Sequence, residues 1–323
     1  MKIKWWALII LKGRFNVKLF DLHCDTIGEC YKNKLSLRNN TLNVSLEKAK
    51  HFEAYTQVFA IWISDELRRK SATDYFNNVC DYYYKELSLN KDLIVEFTDA
   101  KKEDKRIKAI LSIEGGAALG GDINNLYKAY ERGVRILTLT WNDKNEIASG
   151  AFCENGGLTP FGKDVLRKME KLKMIVDVSH LNRESFFDVA ENTELPFIAS
   201  HSNADINDNI YGNKRNLLKS QIEIIKEREG LIGLNFCKDF FDVRGKSGIE
   251  AFKCQLGYFL ENGCENIISL GADFDGCDLT DGITGIESME CIYNALIKDG
   301  FSKNLIDNLF YNNAEKFFRK MKI

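Results

Sequence analysis

The chain has 323 residues, a net charge of −2 and 45% hydrophobic residues. It is long enough to bury a large core without staples, and it lacks the basic surplus that a general grip on nucleic acid or anionic membrane requires. Two prolines, Pro160 and Pro196, exclude a Pro-rich linker, and nine cysteines with no C-x-x-C pair read as reduced cytosolic thiols rather than a disulfide framework.

Residues Met1–Leu11 read MKIKWWALIIL. The apolar run Trp5–Leu11 falls well short of the roughly 20 residues of a membrane span, and no small-residue cleavage site follows it. Lys12-Gly13-Arg14 can be encoded as a purine-rich ribosome-binding sequence and Val17 as a GTG start. Residues 1–16 are therefore expected to be translated leader, and residues 17–323 a single domain.

Short aliphatic and β-branched runs then alternate with longer amphipathic stretches. The runs are Val17–Leu22, Tyr55–Ile63, Ile107–Ile113, Val134–Leu139, Met174–Val178, Phe197–Ala199, Leu231–Leu234 and Ile267–Leu270. Near-continuous apolar runs of this length are the mark of strands buried on both faces, as in a parallel sheet. Between them, helical patterns are expected over Ala72–Leu87, Ile123–Arg132, Gly162–Leu172, Glu184–Glu191, Leu217–Glu227 and Ile249–Asn262. Two more, Glu287–Lys298 and Lys303–Met321, follow the last strand. Eight strands alternating with helices predict an α/β fold, a (β/α)8 barrel of the TIM type. A two-domain doubly wound fold is the alternative, but no composition break marks a boundary.

Polar residues gather where these strands end. The ends read Asp21-Leu22-His23-Cys24-Asp25, Glu114-Gly115-Gly116, Thr140-Trp141-Asn142, Asp177-Val178-Ser179-His180, Ser200-His201-Ser202-Asn203, Asn235 and Asp273-Phe274-Asp275-Gly276. In a barrel these ends converge on one mouth, where barrel active sites lie. Of the four histidines in the chain, His23, His180 and His201 sit there, whereas His51 lies in a polar segment and is expected at the surface. His23 and Asp25 are two apart on an extended segment and so face the same side, with Cys24 turned away. With Glu114 they make three imidazoles and two carboxylates, an N/O set suited to Zn²⁺ and related divalent ions. Five ligands exceed one tetrahedral site with an open position; they fit two metals sharing a carboxylate and a water. Such a pair lowers the pKa of the shared water, and Asp273 is placed to take its proton and pass it to a leaving amine. Asp275 is the rival within that motif, although Gly276 suggests the chain is already turning there, which would make Asp275 a capping residue.

These motifs carry a resemblance. Asp21-Leu22-His23-Cys24-Asp25-Thr26, Ile113-Glu114-Gly115-Gly116, Gly133–Thr140, Asp177-Val178-Ser179-His180, Ser200-His201-Ser202-Asn203-Ala204, Arg215-Asn216 and Gly271–Gly276 occur in that order. The ordered set resembles the membrane dipeptidase (renal dipeptidase) family of zinc peptidases, which belongs to the amidohydrolase-type metal-dependent barrels, from about Lys18 to near the C-terminus. The resemblance implies a soluble dipeptidase with two zinc ions: His23 and Asp25 on one, His180 and His201 on the other, Glu114 bridging. It implies that Asp273 handles the proton and that Arg215 holds the free C-terminal carboxylate of a dipeptide, often one with a D-residue at that end. A homodimer in the cytoplasm is the implied setting.

One residue departs from the family pattern. The animal enzyme ends its fourth strand in Leu-Thr-His, with the His helping to stabilise the substrate carbonyl; here the match is Leu139-Thr140-Trp141. Trp donates an N–H but cannot carry charge, so Asn142 and Asn145 become the candidate substitute donors beside Trp141. Other barrel hydrolases and deaminases open with His-x-His and often bridge with a carboxylated Lys, which His23-Cys24-Asp25 and Glu114 do not match. A degenerate, non-catalytic metal-binding barrel is the remaining alternative. Glu114–Gly121 lacks the Gly-Lys-Ser/Thr of a phosphate loop and reads as a βα turn. Cys24 and Cys277 flank the site and read as packed bystanders.

Overall fold

Every one of the eight apolar runs forms a strand in the computed structural model, which describes residues 16–101, 103–206, 214–243 and 245–323. The leader expected over residues 1–16 lies, except for Asn16, outside the described residues. In chain order the strands are β1 (Lys18–Cys24), β2 (Ala54–Trp62), β3 (Ile94–Glu96), β4 (Ile107–Glu114), β5 (Val134–Thr138), β6 (Ile175–Asp177), β7 (Ile198–Ala199), β8 (Leu231–Leu234) and β9 (Ile268–Leu270). All neighbours are parallel. β1 pairs with β2, β2 with β4, and the order continues through β9, which returns to β1 at Asp21↔Leu270 and closes the barrel. β3 stands outside the ring, in register with the start of β4 at Ile94↔Ile107. The sequence reading omitted β3 because only Ile94 and Val95 are apolar there, too few to show a period.

Helices cover the outside of the ring: α1 (Thr26–Asn33), α2 (Leu46–Ala49), α3 (Lys70–Leu89), α4 (Ile123–Glu131), α5 (Pro160–Leu172), α6 (Arg183–Asn192), α7 (Lys219–Glu227), α8 (Lys238–Phe241), α9 (Gly248–Glu261), α10 (Ser288–Lys298), α11 (Lys303–Asp307) and α12 (Asn313–Lys320). Their starts follow local chemistry. Thr159 caps α5 by accepting the Gly162 N–H at 2.9 Å, with Pro160 in the first turn where no N–H is needed. Asn182 caps α6 by accepting the Ser185 N–H at 2.8 Å. α5 ends on Lys173 in the left-handed conformation. Among the described residues no helix is long and apolar enough to cross a membrane.

Two apolar layers result. The outer one joins helices to strands; the inner one fills the barrel with Phe20, Leu22, Val58, Ile110, Ile136, Ile175, Ile198 and Leu231. From below, α12 seals it: Phe318 stacks on Phe20 with ring centroids 5.0 Å apart. With the base filled by carbon, the polar strand ends are left to the opposite mouth.

A register slip in β1 shapes that mouth. Asp21 pairs with Gln57 and Cys24 with Phe59, so β1 carries one residue more than β2 over this stretch. Such a bulge reverses the in–out phase of the strand. Phe20 and Leu22 point inward before it; after it Cys24 joins the outer layer, and His23 and Asp25 turn into the mouth.

Candidate metal centre

The five residues proposed as ligands meet at the mouth, all buried. Glu114, the last residue of β4, is the hub. Its Oε1 lies 2.9 Å from His180 Nε2 and 3.4 Å from His201 Nε2, and its Oε2 lies 3.4 Å from His23 Nε2. Asp25 Oδ2 is 3.4 Å from His23 Nε2 on the far side. The rings crowd together, with centroids of His23 and His201 3.9 Å apart and those of His180 and His201 4.9 Å apart.

The surroundings fix which nitrogen faces inward. His180 Nδ1–H donates to Asn142 Oδ1 at 2.9 Å. Ser200 Oγ donates to Asp177 Oδ2 at 2.6 Å and therefore accepts from His201 Nδ1–H at 2.8 Å. Both Nδ1 atoms carry the proton, so both Nε2 atoms present lone pairs. Those two Nε2 atoms are 2.8 Å apart. Two lone pairs at hydrogen-bond distance with no proton to share are repulsive unless a cation lies between or beside them. His23 Nε2 and Asp25 Oδ1 are likewise buried without a hydrogen-bond partner.

The electrostatics repeat the point. Burial pulls His180 and His201 below the ordinary imidazole value, aided by the Arg215 guanidinium at His180 and by His23 at His201. Burial works the same way on His23, but the facing Glu114 and Asp25 outweigh it and hold that imidazole well above its usual value. Burial would raise Glu114; the facing charge of His23 outweighs it and holds that carboxylate well below its usual range. Burial and the facing Glu114 push Asp25 up to about 7. Three Nε2 atoms and two carboxylates in a site that favours positive charge are the donor set of Zn²⁺-like ions.

Strain positions two of these groups. His180 has φ +68° and Asp273 φ +61°, left-handed values that side chains other than glycine rarely adopt. At His180 the turn is held by its own carbonyl, which accepts from Ala151 N at 2.7 Å and Thr140 Oγ1 at 3.2 Å. Asp273 Oδ2 accepts from Asn235 Nδ2 at 3.1 Å, and Asp273 has a carboxylate oxygen within 4.8 Å of donor atoms of His23 and Asp25. Gly276 makes room: a Cβ there would overlap the Asp25 and Asp273 carboxylates. Asp275 is engaged elsewhere, accepting from Thr26 Oγ1 at 2.6 Å and Asn43 N at 2.7 Å, and so ties two loops together.

Arg215 is buried, 5% exposed, and makes no ion pair among the described residues. One Nη donates to the His201 carbonyl at 3.3 Å, while Nε has no partner. Phe240 stacks near the guanidinium at 5.4 Å. Trp141 lies 6.3 Å from His180 and edge-on to Trp62 at 5.0 Å. Of the two asparagines expected to replace the missing histidine, Asn142 gives its oxygen to His180. Asn145 is engaged by the loop itself: its Nδ2 donates one hydrogen bond to the Leu139 carbonyl and its Oδ1 accepts from Ile147 and Ala148. His51 is half-buried after α2, outside the cluster.

Sequence reasoning gave no role to Thr138, Asp177, Ser200, Asn235 or Trp62. Asp177 is the largest omission. It accepts from Ser179 N, Ser200 N, Ser200 Oγ and Thr138 Oγ1, and through Ser200 it orients His201. Trp62 pairs in register with Glu114 across β2 and β4, so it ends at the same height in the mouth.

The sequence of residues 14–322 matches the model of the membrane dipeptidase family, peptidase family M19. The chain belongs to the membrane dipeptidase family. An uncharacterized protein of Klebsiella pneumoniae, named for the pqqA 5′ region, is 30% identical over 226 residues, which is 66% of this chain and 81% of its own. An uncharacterized dipeptidase of Schizosaccharomyces pombe is 30% identical over 202 residues, 61% of this chain and 49% of its own. Among solved structures, a metallopeptidase from Rhodobacter sphaeroides bound to a phosphinate mimic of the dipeptide L-Ala-D-Ala has the same fold. Its TM-score is 0.85, at 22% identity over 95% of this chain and 99% of that one. A second metallopeptidase, the dipeptidase AC, has the same TM-score and coverage at 23% identity. The membrane dipeptidase barrel thus accounts for the architecture, and the cluster at its mouth is where a metallopeptidase of this family would hold metal.

Proposed function

We propose that this chain is a metallodipeptidase that hydrolyses the single peptide bond of dipeptides, including those with a C-terminal D-residue, using two Zn²⁺ ions. The observation that carries the proposal is the convergence of three inward imidazole Nε2 atoms on Glu114, with the His180 and His201 lone pairs 2.8 Å apart. His23 and Asp25 would hold one ion, His180 and His201 the other, and Glu114 both. When bound, such a pair supplies Lewis acidity for the scissile carbonyl and lowers the pKa of water.

The chain's own residues do the rest. Asp273 takes a proton from the attacking water and returns it to the leaving amine; its backbone strain and Asn235 hold it beside His23 and Asp25. Arg215 receives the substrate's C-terminal carboxylate: a buried guanidinium with a free Nε and no carboxylate partner among the described residues is a prepared bidentate partner. Such a clamp would admit one residue beyond the scissile bond. Trp141 and Asn142 line the substrate side, with Asn142 also holding His180. The L-Ala-D-Ala mimic in the Rhodobacter structure supports the D-residue at that end. Nine free cysteines fit a cytoplasmic setting, and the dimeric state follows the resemblance.

The test is kcat/KM for L,L-, L,D- and D,D-dipeptides with Zn²⁺ titrated into chelated enzyme. Activity that returns as two equivalents bind, on free dipeptides and not on amidated ones, is the expected result. Binding of two ions with no hydrolysis of any dipeptide would favour the non-catalytic barrel.

A further inference from the structure

A second set of donors meets on the other side of Asp273. Cys237 follows β8 and Cys277 follows β9, and the backbone pairing of Cys237 with Leu279 draws the two loops together. One donor atom from each of Cys237, Cys277 and Asp273 lies within 4.8 Å of the other two. Cys277 Sγ also contacts the Asp273 carbonyl at 3.5 Å. Cys237 is buried, while Cys277 is only half-buried. Neither thiol belongs to the histidine cluster.

We propose that Cys237, Cys277 and Asp273 form a separate site for a thiophilic divalent cation such as Cd²⁺ or Zn²⁺, whose occupation removes the Asp273 carboxylate from the reaction.

The inhibitory half rests on Asp273 being the proton carrier. Tetrahedral ligands at about 2.3 Å for sulfur and 2.0–2.2 Å for oxygen stand roughly 3.5 Å apart, so atoms within 4.8 Å need close by only about 1 Å. Binding releases the two thiol protons to solvent and leaves two thiolates and one carboxylate on the cation. The net single negative charge faces Arg215, whose guanidinium senses both Asp273 and Cys237.

A disulfide fits the surroundings less well. Thiol exchange needs a thiolate, and the neighbouring thiol, burial and the Asp273 carboxylate together hold the Cys277 thiol far above its ordinary range. A cation reverses that balance, since a coordinating thiol is deprotonated outright. Thiolate ligands also select soft ions over Mg²⁺ and Ca²⁺.

The experiment titrates Cd²⁺ into enzyme carrying two equivalents of Zn²⁺ per chain, reading the ultraviolet thiolate-to-Cd²⁺ charge-transfer band and the dipeptidase rate together. One further equivalent per chain should raise the band and lower the rate by about 10²- to 10⁴-fold, the usual worth of the general acid–base group. Cys237→Ser and Cys277→Ser should each abolish the band and leave the rate unaffected by Cd²⁺. No band in the wild type, or a band that survives in the doubly substituted C237S/C277S enzyme, overturns the site. So does loss of two titratable thiols to diamide, with rate loss reversed by dithiothreitol, if Cd²⁺ gives no band. A band with an undiminished rate overturns the removal of Asp273: if Asp273→Asn still lowers kcat, the cation misses that carboxylate, and if kcat stays near native in that variant, Asp273 is not the proton carrier.

Discussion

Replacing Asp177 by Asn should disable the metal centre without touching a ligand. Asp177 is 1% exposed, and its two oxygens serve different partners. Oδ1 accepts two backbone N–H groups, from Ser179 at 3.0 Å and Ser200 at 2.9 Å. Oδ2 accepts two hydroxyls, from Thr138 and Ser200, both at 2.6 Å. An amide nitrogen cannot sit opposite two N–H donors, so Asn must turn its NH₂ toward the hydroxyls. Ser200 Oγ then receives a hydrogen bond instead of giving one, and its own hydrogen turns to His201 Nδ1. That moves the imidazole proton to Nε2, the atom that faces His180 and Glu114, and the lone pair a metal needs is gone. Outer-shell changes of this kind cost about 10- to 100-fold in metal affinity, or roughly 1.4–2.7 kcal/mol. Turning four charge-assisted bonds into neutral ones should also cost about 2 kcal/mol of stability. Chelator competition on folded protein measures the affinity, and ¹⁵N NMR of the imidazoles reports the tautomer. Ser200→Ala is the control: it breaks the relay without imposing the wrong tautomer and should lose less affinity. If folded Asp177→Asn protein kept metal to within about twofold of wild type, the relay argument would fail, because an outer-shell carboxylate should matter more than that.

Three other outcomes are expected. Asp273→Asn should keep its metal and its KM while kcat falls by about 10²- to 10⁴-fold; near-native kcat would hand the proton to another group. Arg215→Ala should cut kcat/KM on free dipeptides by roughly 30- to 5,000-fold and erase the preference over amidated ones, with Arg215→Lys failing to restore it. A mutant that kept the full preference would mean that another cation holds the carboxylate. Gly276→Ala should lower kcat while the barrel stays folded, because its Cβ would fall 2.5 Å from Asp273 Oδ1 and push the two carboxylates apart; an unchanged rate would show that the loop yields freely.

The barrel was legible because its strands are buried on both faces and so read as unbroken apolar runs, whose ends expose the polar residues that packing does not want. The clustering of the candidate ligands was legible for the same reason: three of four histidines at strand ends is a pattern visible without coordinates. What the sequence did not reveal depends on geometry that has no local signature. Asp177 looks like any strand-end aspartate until its four donors are counted. His180 and Asp273 adopt left-handed turns with no glycine to announce them. The β1 bulge has no glycine or proline either, yet it decides which way His23 points. Asn145 and Asn142 are three residues apart with the same chemistry, and only the loop path separates the one that braces itself from the one that braces a histidine.

The ring closes through β1 and β9, strands separated by nearly the whole chain, at Asp21↔Leu270. That closure has a kinetic meaning. Contacts so distant in sequence form late, after the cost of ordering everything between them. His23 and Asp25 stand on one side of this seam and Asp273 on the other, so a chain folded only as far as β8 has the candidate ligands but not the proton carrier beside them. A half-made barrel lacks the group that moves the proton, so the return of dipeptidase activity during refolding should time the last step of closure rather than the first collapse.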